Sequence, residues 1–221
     1  MAEPLLQIGP RPTVSVPHPP SAERVRLERR AKLLAWGGNA WHLVEFAIAV
    51  GAGVVAGSVA LIGFGADSLI EVAAGSVIVW LFTGGRGSSQ RAERRAQQLI
   101  AASYFLLAAY VGVESVRDLV GGHHPAASWV GIGLAAFTAP TMPVLARAKR
   151  RLGQRLNSSA AVSESNQNMI CAYLSVALLV GLSLNALAGW WWADPVAALV
   201  IGAVAVREGI ASWRGKSCHC C

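Results

Sequence analysis

Residues 58–80 read "SVALIGFGADSLIEVAAGSVIVW", an apolar run long enough to cross a bilayer, with two carboxylates, Asp67 and Glu71, at its centre. No other feature constrains the chain so tightly. A helix needs roughly 20 residues to traverse about 30 Å of hydrocarbon. An acid in the middle of such a helix costs about 2.5 to 3.5 kcal/mol on insertion scales, so its presence points to a task. Positions i and i+4 share one helix face, which aims both carboxylates the same way. Like charges one turn apart in a low dielectric need a cation between them or a proton on one of them.

Five more apolar segments accompany this one, at 33–53, 99–120, 126–146, 168–190 and 195–212. The chain is 54% hydrophobic and 14% charged, whereas soluble domains run near a quarter charged. Strands of a membrane barrel would be about half as long and would alternate apolar with polar. The expected fold is therefore an all-α membrane protein, a six-transmembrane-helix bundle over residues 31–213. Residues 1–30, Pro-rich at their start, read as a disordered cytoplasmic tail, and 214–221 as a short Cys/His tail.

Charge sets the orientation. The net charge of +7 comes from 19 Lys and Arg residues, of which 18 fall before the first segment, after the second and fourth, or at the end of the sixth and beyond. Arg117 alone falls on the other side. The positive-inside rule then places both termini in the cytoplasm. The basic balance is a topology signal, so the expected partner is the lipid bilayer and no nucleic acid. No cleavable signal is visible, and the first helix directs insertion. The turns "GAGVVAGS" and "AGWWWADP" join antiparallel pairs, while the inner connections, 83–98 and 147–165, are longer and basic. Trp190, Trp191 and Trp192 fit an interfacial aromatic belt, Asp194 reads as the N-cap of the sixth helix, and Pro140 and Pro143 predict a kink in the fourth.

Other polar residues lie in or near the apolar runs. Glu164, Gln167 and Cys171 recur at intervals of three and four, forming one stripe of carboxylate, amide oxygen and thiol. His42 and Glu45 stand at i, i+3 in the first helix, either as a simple pair or as an accessory metal or proton relay. Glu114 sits beside Arg117 at a membrane boundary and reads as a paired end residue. Carboxylates alone suit hard ions, and a thiolate moves preference toward Zn²⁺, Co²⁺ and Cd²⁺. Asp67, Glu71, Gln167 and Cys171 make a four-ligand set. Gln is a poor zinc ligand, so Glu164 or water competes for its place. In the terminal "CHCC", Cys218, His219, Cys220 and Cys221 read as weak metal candidates or as a lipidated end.

"SVALIGFGADSLIEVAAG" resembles the second helix of the cation diffusion facilitator transporters, and "GWWWADPVAALVIGAVAVREG" resembles the loop and sixth helix of the same family. The resemblance covers about residues 33–213. It implies that Asp67 and Glu71 form half of an intramembrane zinc site. Family members usually show HxxxD in the fifth helix; here Gln167 and Cys171 stand in those places, with Glu164 at an earlier acid. It also implies a branch without the cytoplasmic metal-binding domain that helps relatives dimerise, leaving a homodimer open.

The expected function is proton-coupled antiport of a divalent metal, of zinc, cobalt or cadmium type, out of the cytoplasm. The partners are the transported cation and protons, with no tightly bound cofactor. The alternative is a non-transporting membrane metal sensor or partner subunit of the same fold. An enzyme is not expected, since HExxH is absent and no catalytic residues are assigned. The Ala/Gly-rich composition, with Arg favoured over Lys, points to a bacterial inner membrane.

Overall fold

The computed structural model describes residues 21–83, 90–156 and 158–214. Among these residues the chain forms six helices and no strand: α1 (Ser21–Ala56), α2 (Val59–Phe82), α3 (Gln90–Gly121), α4 (Trp129–Arg155), α5 (Ser159–Ala188) and α6 (Ala193–Trp213). Among the described residues, α1, α2, α4, α5 and α6 are long and apolar enough to cross a membrane. The molecule is an all-α membrane bundle.

Several helices outrun the apolar segments that announced them. Residues 21–30, expected in the tail, are the first turns of α1. Their sequence is rich in helix formers, Arg24 pairs with Glu28 at 3.0 Å, and Leu27 and Ala31 pack on Leu156 at the end of α4. The inner connection expected at 147–165 is likewise mostly helix, because α4 continues to Arg155 and α5 begins at Ser159. Hydropathy marks the part of a helix that meets lipid. The backbone hydrogen bonds continue into the polar ends, where water and charged side chains replace hydrocarbon. Residues 1–20 and the tail residues Cys218, His219, Cys220 and Cys221 lie outside the described residues.

Serine hydroxyls cap three of the helices. Ser58, Ser128 and Ser158 accept from the backbone N–H of Leu61, Gly131 and Ala161 at 3.1, 3.2 and 3.3 Å, starting α2, α4 and α5. Gly189 closes α5 with φ 67°, a left-handed conformation that favours glycine. Asp194 is not the N-cap expected from its position before Pro195. It lies inside the first turn of α6, and its carboxylate accepts from Ser58 Oγ at 2.5 Å and from the Ala60 N–H at 3.3 Å. The tight turn after Gly189 starts α6 at Ala193 and turns Asp194 inward, onto the positive end of α2.

α2 is the central helix, touching α1, α3, α5 and α6. α1 pairs with α2, α4 with α5, and α6 lies along α3. Small residues permit the close approach: a Cβ on Gly65 would meet Val50 of α1 at 2.7 Å. Fully buried Leu61, Phe64, Met142, Leu178, Leu182 and Ile201 fill the interior. Trp190 and Trp192 stack at 5.3 Å and stay partly exposed, as a belt residue should. Polar side chains gather where α1, α2, α4 and α5 meet.

Candidate metal centre

At that junction the side chains of His42, Glu45, Glu71 and Cys171 converge. One ligand atom from each lies within 4.8 Å of the others, and all four residues are buried. α1 supplies His42 and Glu45, less than one turn apart, α2 supplies Glu71, and α5 supplies Cys171. His42 Nδ1 stands 3.1 Å from an oxygen of Glu45 and 3.1 Å from an oxygen of Glu71. Its Nε2 stands 3.0 Å from the amide nitrogen of Asn168.

The two carboxylates are held differently. Glu45 accepts from the Thr138 hydroxyl of α4 at 2.6 Å and from the Ser68 hydroxyl of α2 at 3.0 Å. It is anchored on both oxygens. Both oxygens of Glu71 are buried without a hydrogen-bond partner among the described residues. A buried polar group left without a partner costs roughly 1 to 3 kcal/mol, and more when charged. Nδ1 carries at most one hydrogen for two acids, so the arrangement has a deficit of positive charge.

The donor set suits a tetrahedral borderline ion. Imidazole nitrogen, thiolate sulfur and carboxylate oxygen bind Zn²⁺ at about 2.0 to 2.3 Å, which places tetrahedral ligand atoms about 3.4 Å apart. The ligand atoms here lie within 4.8 Å of one another, so the side chains draw together if they are to enclose such an ion. Cys171 has no exposure, and Ser175, one turn on, uses its hydroxyl on the Cys171 carbonyl at 2.7 Å, leaving the thiol to the site.

Not every expected residue joins this group. Asp67 is buried on α2 one turn from Glu71, outside the four that converge. Gln167 is half-buried, and its neighbour Asn168 takes the inward position with 2% exposure. Glu164 is engaged elsewhere, accepting from Lys149 Nζ at 2.6 Å in a buried pair between α4 and α5. Lys149 is itself buried, 5% exposed. A Cβ on Gly38 of α1 would lie 2.9 Å from its ammonium, so the absent side chain there gives it room. Glu114 pairs with Arg117 at 2.8 Å, as its boundary position implied.

Asn168, Ser68 and Thr138 carried weak signals in the sequence. Asn168 precedes Cys171 by three residues, a spacing that shares a face as well as four does. Ser68 adjoins Asp67, and nothing in its neighbours marks it as a ligand to Glu45.

Comparison with known proteins agrees with this architecture. Residues 41–213 match the family model of the cation efflux transmembrane domain. Over 185 residues the chain is 28% identical to an uncharacterized transporter of Synechocystis sp., covering 80% of this chain and 59% of that relative. The chain therefore spans about three fifths of the relative's length.

Proposed function

Since the chain belongs to the cation efflux family, we propose that it carries a divalent metal of zinc, cobalt or cadmium type out of the cytoplasm in exchange for protons. The observation that carries the proposal is the buried meeting of His42, Glu45, Glu71 and Cys171, in which Glu71 makes no well-formed hydrogen bond among the described residues and shares His42 Nδ1 with Glu45. His42, Glu45, Glu71 and Cys171 hold the ion; Asp67, one turn away on α2, hands it on or takes up protons. A dication supplies the missing positive charge and displaces protons as it binds, which couples the two fluxes. Rocking of the helix pairs about the site then exposes it to one side of the membrane or the other.

On this reading both termini face the cytoplasm, and the membrane is a bacterial inner membrane. The transporter from Synechocystis is consistent with the bacterial setting. Gln167 and Glu164 stand outside the ion's immediate shell.

The test is flux into proteoliposomes that hold a zinc-sensitive dye, with an imposed pH gradient. Metal uptake that follows the gradient and disappears when it is collapsed is the expected result. Absence of flux under any gradient would sink transport. Tight metal binding without flux would instead favour a sensor or partner subunit.

A further inference from the structure

The proposed ion has four donors, yet a fifth side chain touches them and is incompletely satisfied. Asn168 is 2% exposed, its amide nitrogen is 3.0 Å from His42 Nε2, and its amide oxygen is buried without a partner among the described residues. The same amide nitrogen approaches Met142 Sδ at 3.8 Å, which is a weak acceptor. The orphan oxygen is thus a cost that the resting arrangement leaves unexplained.

Tautomer chemistry supplies the explanation. With the amide nitrogen turned toward Nε2, the contact is a hydrogen bond only in the tautomer whose proton sits on Nδ1, toward Glu45 and Glu71. A metal held by Glu45 and Glu71 must take Nδ1 as its ligand, and a ligating nitrogen carries no proton. The proton must then sit on Nε2, which becomes a donor and needs an acceptor. Asn168 Oδ1 is that acceptor once the amide turns over. Its terminal torsion is broad and roughly two-fold, so the turn is inexpensive. The proton lost at Nδ1 is matched by the one carried at Nε2, and the imidazole remains neutral throughout.

We propose that Asn168 is a positioning residue of the metal centre, presenting its nitrogen to His42 in the empty site and its oxygen in the loaded one, and so making Nδ1 the metal-binding nitrogen. The proposal rests on the four-residue site described above. A histidine ligand whose second nitrogen is held by an acceptor binds metal better, and loss of such a partner typically lowers affinity about 10- to 100-fold.

The experiment measures Cd²⁺ affinity of the purified full chain by competition with a chelator, for the unsubstituted protein and for His42→Ala, Asn168→Leu and Asn168→Asp. Asn168→Leu keeps the volume and removes the amide, so affinity should fall about 10- to 100-fold. Asn168→Asp offers a stronger acceptor to Nε2, so affinity should equal or exceed that of the unsubstituted chain. A residue that only packs gives the opposite order, because a buried carboxylate disrupts packing more than leucine does. Asn168→Asp binding more weakly than Asn168→Leu, or Asn168→Leu binding normally while His42→Ala does not, overturns the proposal and leaves the site intact. Normal binding by His42→Ala overturns the site and the proposal together. A measurement on the unsubstituted protein covers the case in which the variants do not fold. NMR of isotopically labelled histidine with NMR-active cadmium should show cadmium coupled to His42 Nδ1 and a proton on Nε2. Coupling at Nε2, or no change at His42 when cadmium binds, overturns it.

Discussion

α2 touches two buried acids in opposite circumstances. At its N-terminus, Asp194 from α6 has no exposure, yet it accepts from the Ser58 hydroxyl and the Ala60 N–H and lies against the positive end of the helix. Further along the helix, Glu71 is also buried, and neither of its oxygens makes a well-formed hydrogen bond among the described residues, the nearest nitrogen being the His42 Nδ1 that it shares with Glu45. Lys149 and Glu164 make a third case, a buried acid neutralised by its own ammonium at 2.6 Å. Burial of a carboxylate is therefore no sign of a ligand site by itself. On the proposed function, the carboxylate without a well-formed hydrogen bond of its own is the one that takes a cation from outside the chain.

If that contrast is right, neutralising these acids should have opposite effects. Glu71→Gln should bring zinc flux in proteoliposomes to the level of protein-free vesicles while the thermal midpoint stays equal or rises, because an uncompensated charge leaves the interior. Normal flux would end the role of Glu71 as a ligand. The structural pair should behave in reverse. Lys149→Met strands Glu164 without its partner and should cost about 3 to 5 kcal/mol. Adding Glu164→Leu should recover most of this, which a double-mutant cycle of unfolding in detergent can measure. Failure of the second change to compensate would show that the pair has a task beyond neutralising itself.

Asp194→Ala should cost less, about 1 to 3 kcal/mol from the lost partner of Ser58 and of the α2 terminus, with flux per folded molecule retained. A larger loss of flux than of folded protein would link the end of α2 to transport. Asp67→Asn tests the neighbour on the same helix. We expect roughly a tenfold drop in metal affinity, as for a group outside the immediate ligand shell, and a smaller loss of flux than for Glu71→Gln. A loss equal to that of Glu71→Gln would return Asp67 to the first rank of ligands. Cys171→Ser should act on selectivity more than on total binding, lowering Cd²⁺ affinity more than Mn²⁺ affinity, as competition assays would register.

Local chemistry determined much of this protein. Six apolar runs near membrane length announce six helices, and a serine before each of α2, α4 and α5 starts them without help from the rest of the chain. The acids of α2 stand out because carboxylates are costly in any apolar helix, wherever its neighbours lie. That argument needs no partner helix. Its limit appears at α5, where an offset of one residue turns a side chain by about 100° around the axis. Gln167 and Asn168 are both amides at acceptable spacings from Cys171, and only packing against α1 and α4 turns Asn168 inward. The same holds for the partners of each acid. His42 and Glu45 reveal in sequence that they are close to one another, but it takes the crossing of α1 over α2 to bring Glu71 within 3.1 Å of the same imidazole nitrogen. In sequence Lys149 belongs to a basic connection and Glu164 to a candidate ligand stripe; only the pairing of α4 and α5 encloses them as an ion pair. Spacing along the chain decides which residues share a face of one helix; which faces meet, and which acid is left without a donor, is decided by packing between helices distant in sequence.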